Sequence, residues 1–599
     1  MDKKNSTSYQ ILIPAVLVPL GFFAVLAGRF DYYFDLNDDF MMQHILSGEY
    51  TGMPESRNIQ SLYPLSLLFS VLYKLADQVE WYGIFLLLCQ FGALSLVLRQ
   101  ILKLRKSAAH RGLLAGVAVL MYSGVMLYHL VFVQYSVTVG LIAAAAAVLL
   151  LTGRWSFKGT ILPSALLIWL GYLLRSEMML FLMPFLLLAL ALRLWTGSVW
   201  SGERITKALR RFLGISAVLA AGIVLLRAVD AWGYRSPEWR EFRELFDART
   251  QLYDFQKIPP YETNESFYDS IGLTGEEAAL LQNYNFGLDQ KIDAGTLRLT
   301  AEHAAELAAE QSLASRIRNA LWDYRAELTD RADLPWNLVS ILFYAAAVLC
   351  TAVRAVYAAE KRDRAEKGVL LLGILMLAAG RSLLWCYLFF YHRPVVRLTH
   401  PMCLMECVLL AWIIYSPGGA EPADQARSSS ADMLKAGKTA YAAVCGLLIA
   451  GLLYASFMQV RMTVSEYERR EAVNRPYQEY LAYCSDAKRQ DGFYITDVYS
   501  TVDFSEKIFN NNEVKVLNWD LCGGWVCKSP LQEKKWAAYS ADSAQEALLD
   551  PERHVYFVAK QEYDTGWLED YYRSFGDRIR IERVDTAAGI FAVYQLRRE

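Results

Sequence analysis

Long apolar runs recur along the chain and dominate its pattern of hydrophobic and polar positions. Each run holds roughly 17 to 22 apolar residues, the length that an α-helix needs to cross about 30 Å of hydrocarbon. We predict eleven membrane-spanning helices from these runs. Their expected bounds are residues 10–28, 81–102, 112–130, 132–152, 160–175, 178–195, 212–229, 336–356, 368–389, 396–416 and 438–457.

One further apolar segment, residues 61–76, is predicted not to cross the membrane. It is short for a crossing and is interrupted by Pro64 and Lys74. A segment of this kind suits an interfacial or re-entrant helix. Leaving it out of the crossings also gives a consistent alternation of inner and outer loops.

The orientation follows from the short basic loops, because Lys and Arg beside a crossing are retained on the cytoplasmic side. The short basic segments all lie on the cytoplasmic side if the N-terminus is inside and the C-terminus is outside. They are Lys3–Lys4 and residues 99–111, 153–159, 203–211 and 360–368. Residues 417–438 then form a flexible cytoplasmic linker.

This topology places large segments on the outer face. The first outer domain is predicted to be helical, with a Thr274-x-x-Glu277 capping box, and the C-terminal part alternates strand-like and helical runs. The expected units are 1–80 (first helix and acidic outer loop), 81–229 (helices two to seven), 230–335 (outer helical domain), 336–457 (helices eight to eleven) and 458–599 (outer α/β domain).

Composition agrees with membrane insertion and excludes some partners. The 599 residues are 54% hydrophobic, and 60 basic side chains nearly balance 62 acidic ones. No strong positive field is therefore present to recruit nucleic acid. Among the nine cysteines, Cys522 and Cys527 bracket a Gly-Gly turn, which leaves a disulfide or two free thiols open.

The candidate chemistry lies directly after the first crossing, where four aspartates fall within nine positions: Asp31, Asp35, Asp38 and Asp39. One interpretation is structural, since Asn37-Asp38 is a good N-cap for a following helix. The other is functional. A carboxylate beside an apolar face has a raised pKa and can act as a general base, and a pair can hold Mg²⁺ or Mn²⁺.

The arrangement resembles the GT-C superfamily of polyprenyl-phosphate-sugar glycosyltransferases. It has a first crossing, an outer loop with an acidic pair, an interfacial helix, many further crossings and an outer C-terminal domain. The run NDDFMMQHILSGEYTG (37–52) is similar to the first-loop motif of that group. The resemblance implies inverting sugar transfer from a lipid phosphate to an acceptor hydroxyl, with Asp38 or Asp39 as base or metal ligand and Asp38 ranked first.

A phosphate leaving group needs fixed cations. Arg175, Arg393 and Arg397 are predicted at outer helix ends, where an arginine either extends towards the lipid headgroups or binds phosphate. Residues expected to contact substrate are His44, Glu49, Tyr50 and Glu177. Arg381 lies deep in a helix and needs a partner, with a structural salt bridge as the expectation. No histidine pair has the i, i+4 spacing of a zinc site.

The predicted protein is thus a multi-pass integral membrane enzyme, located in the cell membrane if its host is bacterial, with its active face outside the cytoplasm. Its expected partners are a polyprenyl-phosphate sugar, membrane lipids and a glycan, lipid or protein acceptor. Two alternatives remain: a non-enzymatic exporter or scaffold for surface polymer assembly, and a transferase of acyl or phosphoglycerol groups. The latter needs a nucleophilic constellation, and none stands out.

Overall fold

The computed structural model describes residues 2–103, 108–330, 332–356, 361–415, 431–509 and 517–599. Within these ranges, eleven helices are long and apolar enough to cross a membrane. They coincide with the eleven predicted runs, so the predicted polytopic helical architecture is confirmed. The direction in which the chain is inserted remains a prediction.

The candidate spans are formed by single helices except where a π-helical turn joins or precedes one. Residues Tyr122–Met126 join α5 to α6 in this way, and Phe157–Ile161 precede α8. The helices are α1 (Asp2–Ala27), α4 (Trp81–Lys103), α5 (Ala108–Met121), α6 (Leu127–Val131), α7 (Tyr135–Thr152), α8 (Leu162–Leu174), α9 (Ser176–Ser201), α10 (Ile205–Gly233), α16 (Leu334–Val356), α17 (Lys361–Phe390), α18 (Val396–Tyr415) and α19 (Ala431–Ser485).

Helix α7 is the centre of the membrane bundle. It is apolar on all sides and 94% of it is buried, because α4, α8, α9 and α18 surround it. Five consecutive alanines, Ala143–Ala147, allow these neighbours to approach closely. At Gly140 an added Cβ would lie 2.6 Å from the Pro401 side chain, so the glycine permits contact between α7 and α18.

The loop between α1 and α4, which is predicted to lie outside and is called the first outer loop below, carries two short helices, α2 (Asn37–Ser47) and α3 (Tyr63–Leu75). The 13 residues of α3 reach only about 20 Å, which is too short to cross. Leu68 and Leu75 on this helix are 53% and 78% exposed. This apolar exposed face is what a helix lying in the membrane surface requires.

The second outer segment is helical, as predicted. Thr274 and Glu277 form the predicted capping box at the start of α13, with each side chain bonded to the other's backbone N–H. The helices of this segment are α11 (Pro237–Phe255), α12 (Tyr261–Ser270), α13 (Gly275–Gln282), α14 (Ala294–Ala309) and α15 (Leu313–Glu327).

The C-terminal part is an α/β domain, as predicted. Its sheet has the order β4-β3-β5-β7-β6, with β3 parallel to β4 and β5 and the remaining pairs antiparallel. Cys522 and Cys527 are buried free thiols in this domain. Its elements are β3 (Phe493–Thr496), α20 (Val498–Thr501), β4 (Trp519–Leu521), α21 (Pro530–Ala537), α22 (Ala544–Leu549), β5 (Val555–Lys560), α23 (Gly566–Ser574), β6 (Ile579–Ala587) and β7 (Phe591–Arg598).

Helix α19 differs from its prediction at both ends. It begins at Ala431, inside the predicted linker 417–438, of which residues 417–430 lie outside the described ranges. It continues to Ser485, far beyond the predicted end at residue 457. The added turns carry charged residues and join the last span directly to the α/β domain.

Two further strands connect the first outer loop to the bundle and to the α/β domain. Strand β1 (Tyr33–Phe34) pairs in parallel with β2 (Phe132–Val133). The Phe34 N–H donates to the Glu506 carbonyl over 2.9 Å, and the Ile508 N–H donates to the Tyr32 carbonyl over 2.8 Å. Three distant parts of the chain therefore meet at the ends of the spans that are predicted to face outwards.

The buried charge at Arg381 has the partner that the sequence required. Its guanidinium forms a salt bridge with Glu406 of α18 and donates to Asn337 Oδ1 over 2.6 Å. The Tyr324 hydroxyl lies 3.2 Å from its Nε atom. The predicted structural salt bridge is confirmed, and it ties α15, α16, α17 and α18 together.

Candidate active site

The acidic pair lies in the first turn of α2. Leu36 occupies the N-cap position with an extended backbone, and no side chain caps the helix. The interpretation of Asn37-Asp38 as a helix cap is therefore wrong. The carboxylates of Asp38 and Asp39 are left for other contacts, at the helix end where negative charge is favoured.

Asp39 is fully buried. Its Oδ1 atom accepts hydrogen bonds from the Tyr82 hydroxyl over 3.0 Å and from the Tyr135 N–H over 3.1 Å, whereas Oδ2 has no partner. Burial raises the pKa of Asp39 well above its ordinary value, and the charge of Asp38 raises it further. Burial therefore favours the neutral form of Asp39, whose carboxyl holds α2 against α4 and the start of α7.

Asp38 has the opposite environment. Its side chain is half-buried, and no described residue forms a hydrogen bond or ion pair with its carboxylate. Its charge nevertheless acts on Arg175 and Arg249. An accessible, unpaired carboxylate next to cationic groups can accept a proton from a bound hydroxyl.

Arg175 lies between α8 and α9, at the ends of these two spans that are predicted to face outwards. Its guanidinium carbon stands 4.4 Å from the centre of the Tyr135 ring, which fixes the side chain in place. Its Nη1 atom is buried without a hydrogen-bond partner. A buried charged donor left unsatisfied is costly, and an anionic ligand would satisfy it.

Four arginines from three parts of the chain lie close enough to influence one another. Burial lowers the pKa of Arg175; Glu177 and Asp38 oppose this, whereas Arg397 and Arg393 lower the pKa further. Arg249 and Arg397 act in the same way on Arg393. We refer to Arg175, Arg249, Arg393 and Arg397 as the arginine cluster.

The members of the cluster differ in how they are held. Arg393 forms an ion pair with Asp254 over 2.9 Å, and Arg249 donates to the Tyr284 hydroxyl. Arg397 is half-buried, and no described residue forms an ion pair or hydrogen bond with it. Arg397 therefore offers its charge to a ligand most freely.

The predicted substrate residue His44 lies between two glutamates. Its Nε2 atom is 2.9 Å from Glu506 Oε2 and 3.2 Å from Glu49 Oε2. Burial alone would lower the pKa of His44, but Glu506 and Glu49 outweigh burial and raise it to about 9. A protonated His44 thus joins α2 to the α/β domain, with Glu49 as its second partner.

Tyr50, predicted to contact substrate, also reaches the α/β domain. It is 2% exposed, and its hydroxyl donates to Asp520 Oδ2 over 2.8 Å. The Lys535 ammonium stands 4.2 Å from the centre of its ring. Contact between Tyr50 and a substrate would require this junction to open. Glu177, by contrast, is exposed beside Arg175 and accepts a hydrogen bond from Ser176.

The other two aspartates of the loop are held by partners from the C-terminal part. Asp35 forms an ion pair with Arg470 of α19 over 2.6 Å. Asp31 forms a more exposed pair with Lys507, also over 2.6 Å. Among the four aspartates, Asp38 is thus the one whose carboxylate has no partner within the described part of the chain.

Two kinds of site residue were missed by sequence reasoning. Arg249 lies in the middle of an amphipathic outer helix, and its sequence neighbourhood gives no signal of a phosphate site. His129 and His400 are far apart in the chain, yet their ring nitrogens lie 2.7 Å apart. Only the packing of α6 against α18 brings them together.

Within the described residues, the acidic pair of α2 does not belong to a cluster of potential metal ligands. In the described ranges, the side chains whose potential ligand atoms lie close enough to share one metal ion are those of Glu327, Asp330 and Asp333. Neither Asp38 nor Asp39 is among them. Burial disfavours the ionised form of Asp39 that a cation would bind. Mg²⁺ or Mn²⁺ at Asp38 and Asp39 stays a prediction.

No protein-family model matches the sequence, and no curated protein matches it. Among solved structures, the chain is similar to ArnT from Cupriavidus metallidurans, crystallised with undecaprenyl phosphate bound. The likeness covers 97% of each chain at 10% sequence identity, with a TM-score of 0.35. A TM-score this low does not establish a common fold, and the candidate site rests on its own geometry.

Proposed function

We propose that the protein transfers a sugar from a polyprenyl-phosphate-linked donor to an acceptor hydroxyl on the outer face of the membrane. The observation that carries this proposal is the open carboxylate of Asp38 beside the arginine cluster. A base and an anion site next to each other at the outer ends of the spans suit a donor that has a lipid tail in the membrane and a phosphate at its surface.

The proposed reaction is a single inverting displacement. The acceptor oxygen forms a bond to the anomeric carbon while its proton passes to Asp38. The bond between that carbon and the phosphate oxygen breaks, and the oxygen keeps the electron pair. A positioned general base of this kind contributes typically 10²- to 10⁴-fold in rate, roughly 3 to 5 kcal/mol.

The arginine cluster has two tasks in this proposal. Arg175 and Arg397 bind the donor phosphate with N–H groups that have no partner in the described part of the chain. As the glycosidic bond breaks, the leaving phosphate gains negative charge, and the fixed guanidinium groups stabilise that charge. Arg393 and Arg249, already held by Asp254 and Tyr284, supply positive field rather than direct contacts.

Asp39 acts as a positioning residue. Its neutral carboxyl accepts hydrogen bonds from Tyr82 and Tyr135 and so sets the direction of the first turn of α2. Tyr135 in turn carries Arg175 on its ring. The buried carboxyl of Asp39 thereby fixes the position of Asp38, the proposed base, relative to Arg175 in the proposed phosphate site.

The proposal is tested with purified protein in lipid and a panel of polyprenyl-phosphate sugars. We expect one donor to raise the melting temperature selectively and to be consumed when a suitable acceptor is present. Addition of a chelator in the same assay tests the predicted need for Mg²⁺ or Mn²⁺. If no donor is bound or consumed while the outer domains capture a polymer, the exporter or scaffold alternative replaces this one.

A further inference from the structure

A group of three carboxylates lies at the junction between α15 and α16, outside the proposed active site. Glu327, Asp330 and Asp333 are three residues apart in sequence, and their ligand oxygens lie within 4.8 Å of one another. Asp333 is buried to 1% exposure, whereas Asp330 is exposed. Like charges this close repel, and a bound cation would remove the repulsion.

A buried histidine from another helix lies against Asp333, the buried member of this group. His400 of α18 is 4% exposed, and its Nε2 atom has no hydrogen-bond partner although it lies 3.3 Å from Asp333 Oδ1. Two ligand atoms that bind one ion at about 2.1 Å each stand about 3.0 to 3.4 Å apart. The separation of His400 and Asp333 therefore suits two ligands of a single cation.

The opposite side of the His400 ring is also arranged as a metal ligand requires. Its Nδ1 atom lies 2.7 Å from Nε2 of His129. A histidine that binds metal through one ring nitrogen usually donates the other N–H to a buried acceptor. With Nδ1–H donated to His129, the lone pair of His400 Nε2 is directed at the carboxylates. Trp336 stacks on the ring at 4.8 Å and fixes its plane.

We propose that Glu327, Asp330, Asp333 and His400 bind one divalent cation, Mn²⁺ or Zn²⁺. An imidazole nitrogen beside carboxylates favours these ions over Mg²⁺ and Ca²⁺, which prefer oxygen ligands alone. The exposed Asp330 side chain rotates to complete the site. The ion fastens the α15–α16 junction to the second turn of α18, one turn from Arg397, and so positions part of the arginine cluster. The binding itself does not depend on the proposed function.

The test uses full-length protein in lipid nanodiscs, stripped with a chelator and titrated with Mn²⁺ under electron paramagnetic resonance. We expect one Mn²⁺ per chain, displaced by Zn²⁺ and not by equal Mg²⁺. Spin-echo modulation should show a directly bound imidazole nitrogen. Glu327→Gln and Asp330→Asn should each weaken binding at least about tenfold. The control Glu310→Gln changes an exposed acid at the end of α14 and should leave binding unchanged.

Several results would overturn the proposal. Absence of saturable Mn²⁺ or Zn²⁺ binding, or binding that survives both Glu327→Gln and Asp330→Asn, would show that the group is an acidic cluster only. Loss of binding in Asp38→Asn instead would place the ion at the acidic pair of α2. A bound Mn²⁺ without nitrogen modulation would exclude His400 as a ligand.

Discussion

At the scale of single residues, the adjacent aspartates of α2 show how environment separates identical side chains. Asp39 is enclosed by Tyr82 and the backbone of Tyr135, and burial favours its neutral form. Asp38, one position earlier, remains open to solvent or substrate. The sequence could rank the two only weakly, because which side of α2 faces the bundle is decided by tertiary packing.

Asp39→Asn should be well tolerated. Asparagine is neutral, which is the form that burial favours for Asp39, and its carbonyl can still accept hydrogen bonds from Tyr82 and Tyr135. We expect unchanged or higher stability at pH 7, since the variant avoids any cost of ionising a buried acid as pH rises from about 4. We also expect sugar transfer within about tenfold of the wild-type rate, far less than the loss of a general base. Thermal unfolding measures the stability, and a transfer assay measures the rate of sugar transfer.

The contrasting variant is Asp39→Ala, which removes both accepted hydrogen bonds and should cost about 1 to 3 kcal/mol of stability. Abolished transfer in a folded Asp39→Asn protein would mean that Asp39, and not Asp38, is the base.

Arg397→Ala should weaken the use of donor. Because the side chain has no partner in the described ranges, its loss leaves no buried counter-charge behind, and the protein should fold normally. A charge-assisted contact to phosphate contributes about 1.5 to 3 kcal/mol, so the donor concentration at half-maximal rate should rise at least about tenfold. The control is Arg235→Ala, an exposed arginine on the outer side that stacks on Trp232. If the two variants reach half-maximal rate at the same donor concentration, Arg397 does not bind the donor phosphate.

At the scale of elements, the outward continuation of α19 carries the α/β domain and also reaches the first outer loop. Arg470 pairs with Asp35, donates to the Phe34 carbonyl over 3.1 Å, and lies 4.2 Å from the centre of the Phe132 ring. One side chain therefore holds β1 and β2 in register beside α2. Sequence patterns predicted the span within α19 but not its continuation, because charged residues there end the hydropathy signal.

Arg470→Ala should destabilise the outer face. It leaves Asp35, whose side chain is only 12% exposed, without its cation, and breaking a largely buried ion pair on one side costs up to about 3 to 5 kcal/mol. The matched control on the same helix is Arg475→Ala, whose pair with Glu479 is exposed and should contribute about 1 kcal/mol or less. Melting temperatures in lipid compare the two, and similar values would show that Arg470 does not anchor the loop. Recovery in an Arg470→Leu, Asp35→Leu double variant would support the ion-pair explanation.

The contact between α2 and the α/β domain should depend on pH through His44. Its pKa is raised from 6.5 to about 9 in the folded protein, so the stabilisation is complete below pH 6.5 and is lost as the pH rises through 9. Each unit of pKa shift corresponds to about 1.4 kcal/mol. Wild-type melting temperature should therefore fall across this interval.

The variant His44→Gln should start from a lower melting temperature and change less over the same interval. His392→Asn, a substitution of an exposed histidine, should keep the wild-type profile. A His44→Gln profile parallel to that of the wild type would assign the pH dependence to other groups.

At the scale of the whole molecule, hydropathy was enough to predict the membrane architecture. The eleven spans and the C-terminal α/β domain were foreseen because both depend on local periodicity. Strand β6 was missed because charged residues interrupt its apolar alternation. The candidate site was predicted in part: Asp38 came from the acidic run after the first span, and Arg175, Arg393 and Arg397 came from their positions at helix ends. The role of Arg249 and the contact between His129 and His400 could not be predicted, because they depend on packing between distant segments.

The most direct test of the account separates donor binding from transfer in Asp38→Asn. Asp31→Asn is the matched control, the same change in the same loop at an exposed ion pair. We predict that Asp38→Asn binds the donor found in the panel with wild-type affinity but transfers sugar at least about 100-fold more slowly in a single turnover. Asp31→Asn should have both the donor affinity and the single-turnover rate of the wild type. Wild-type single-turnover transfer by folded Asp38→Asn protein would contradict the proposed base and the site built around it.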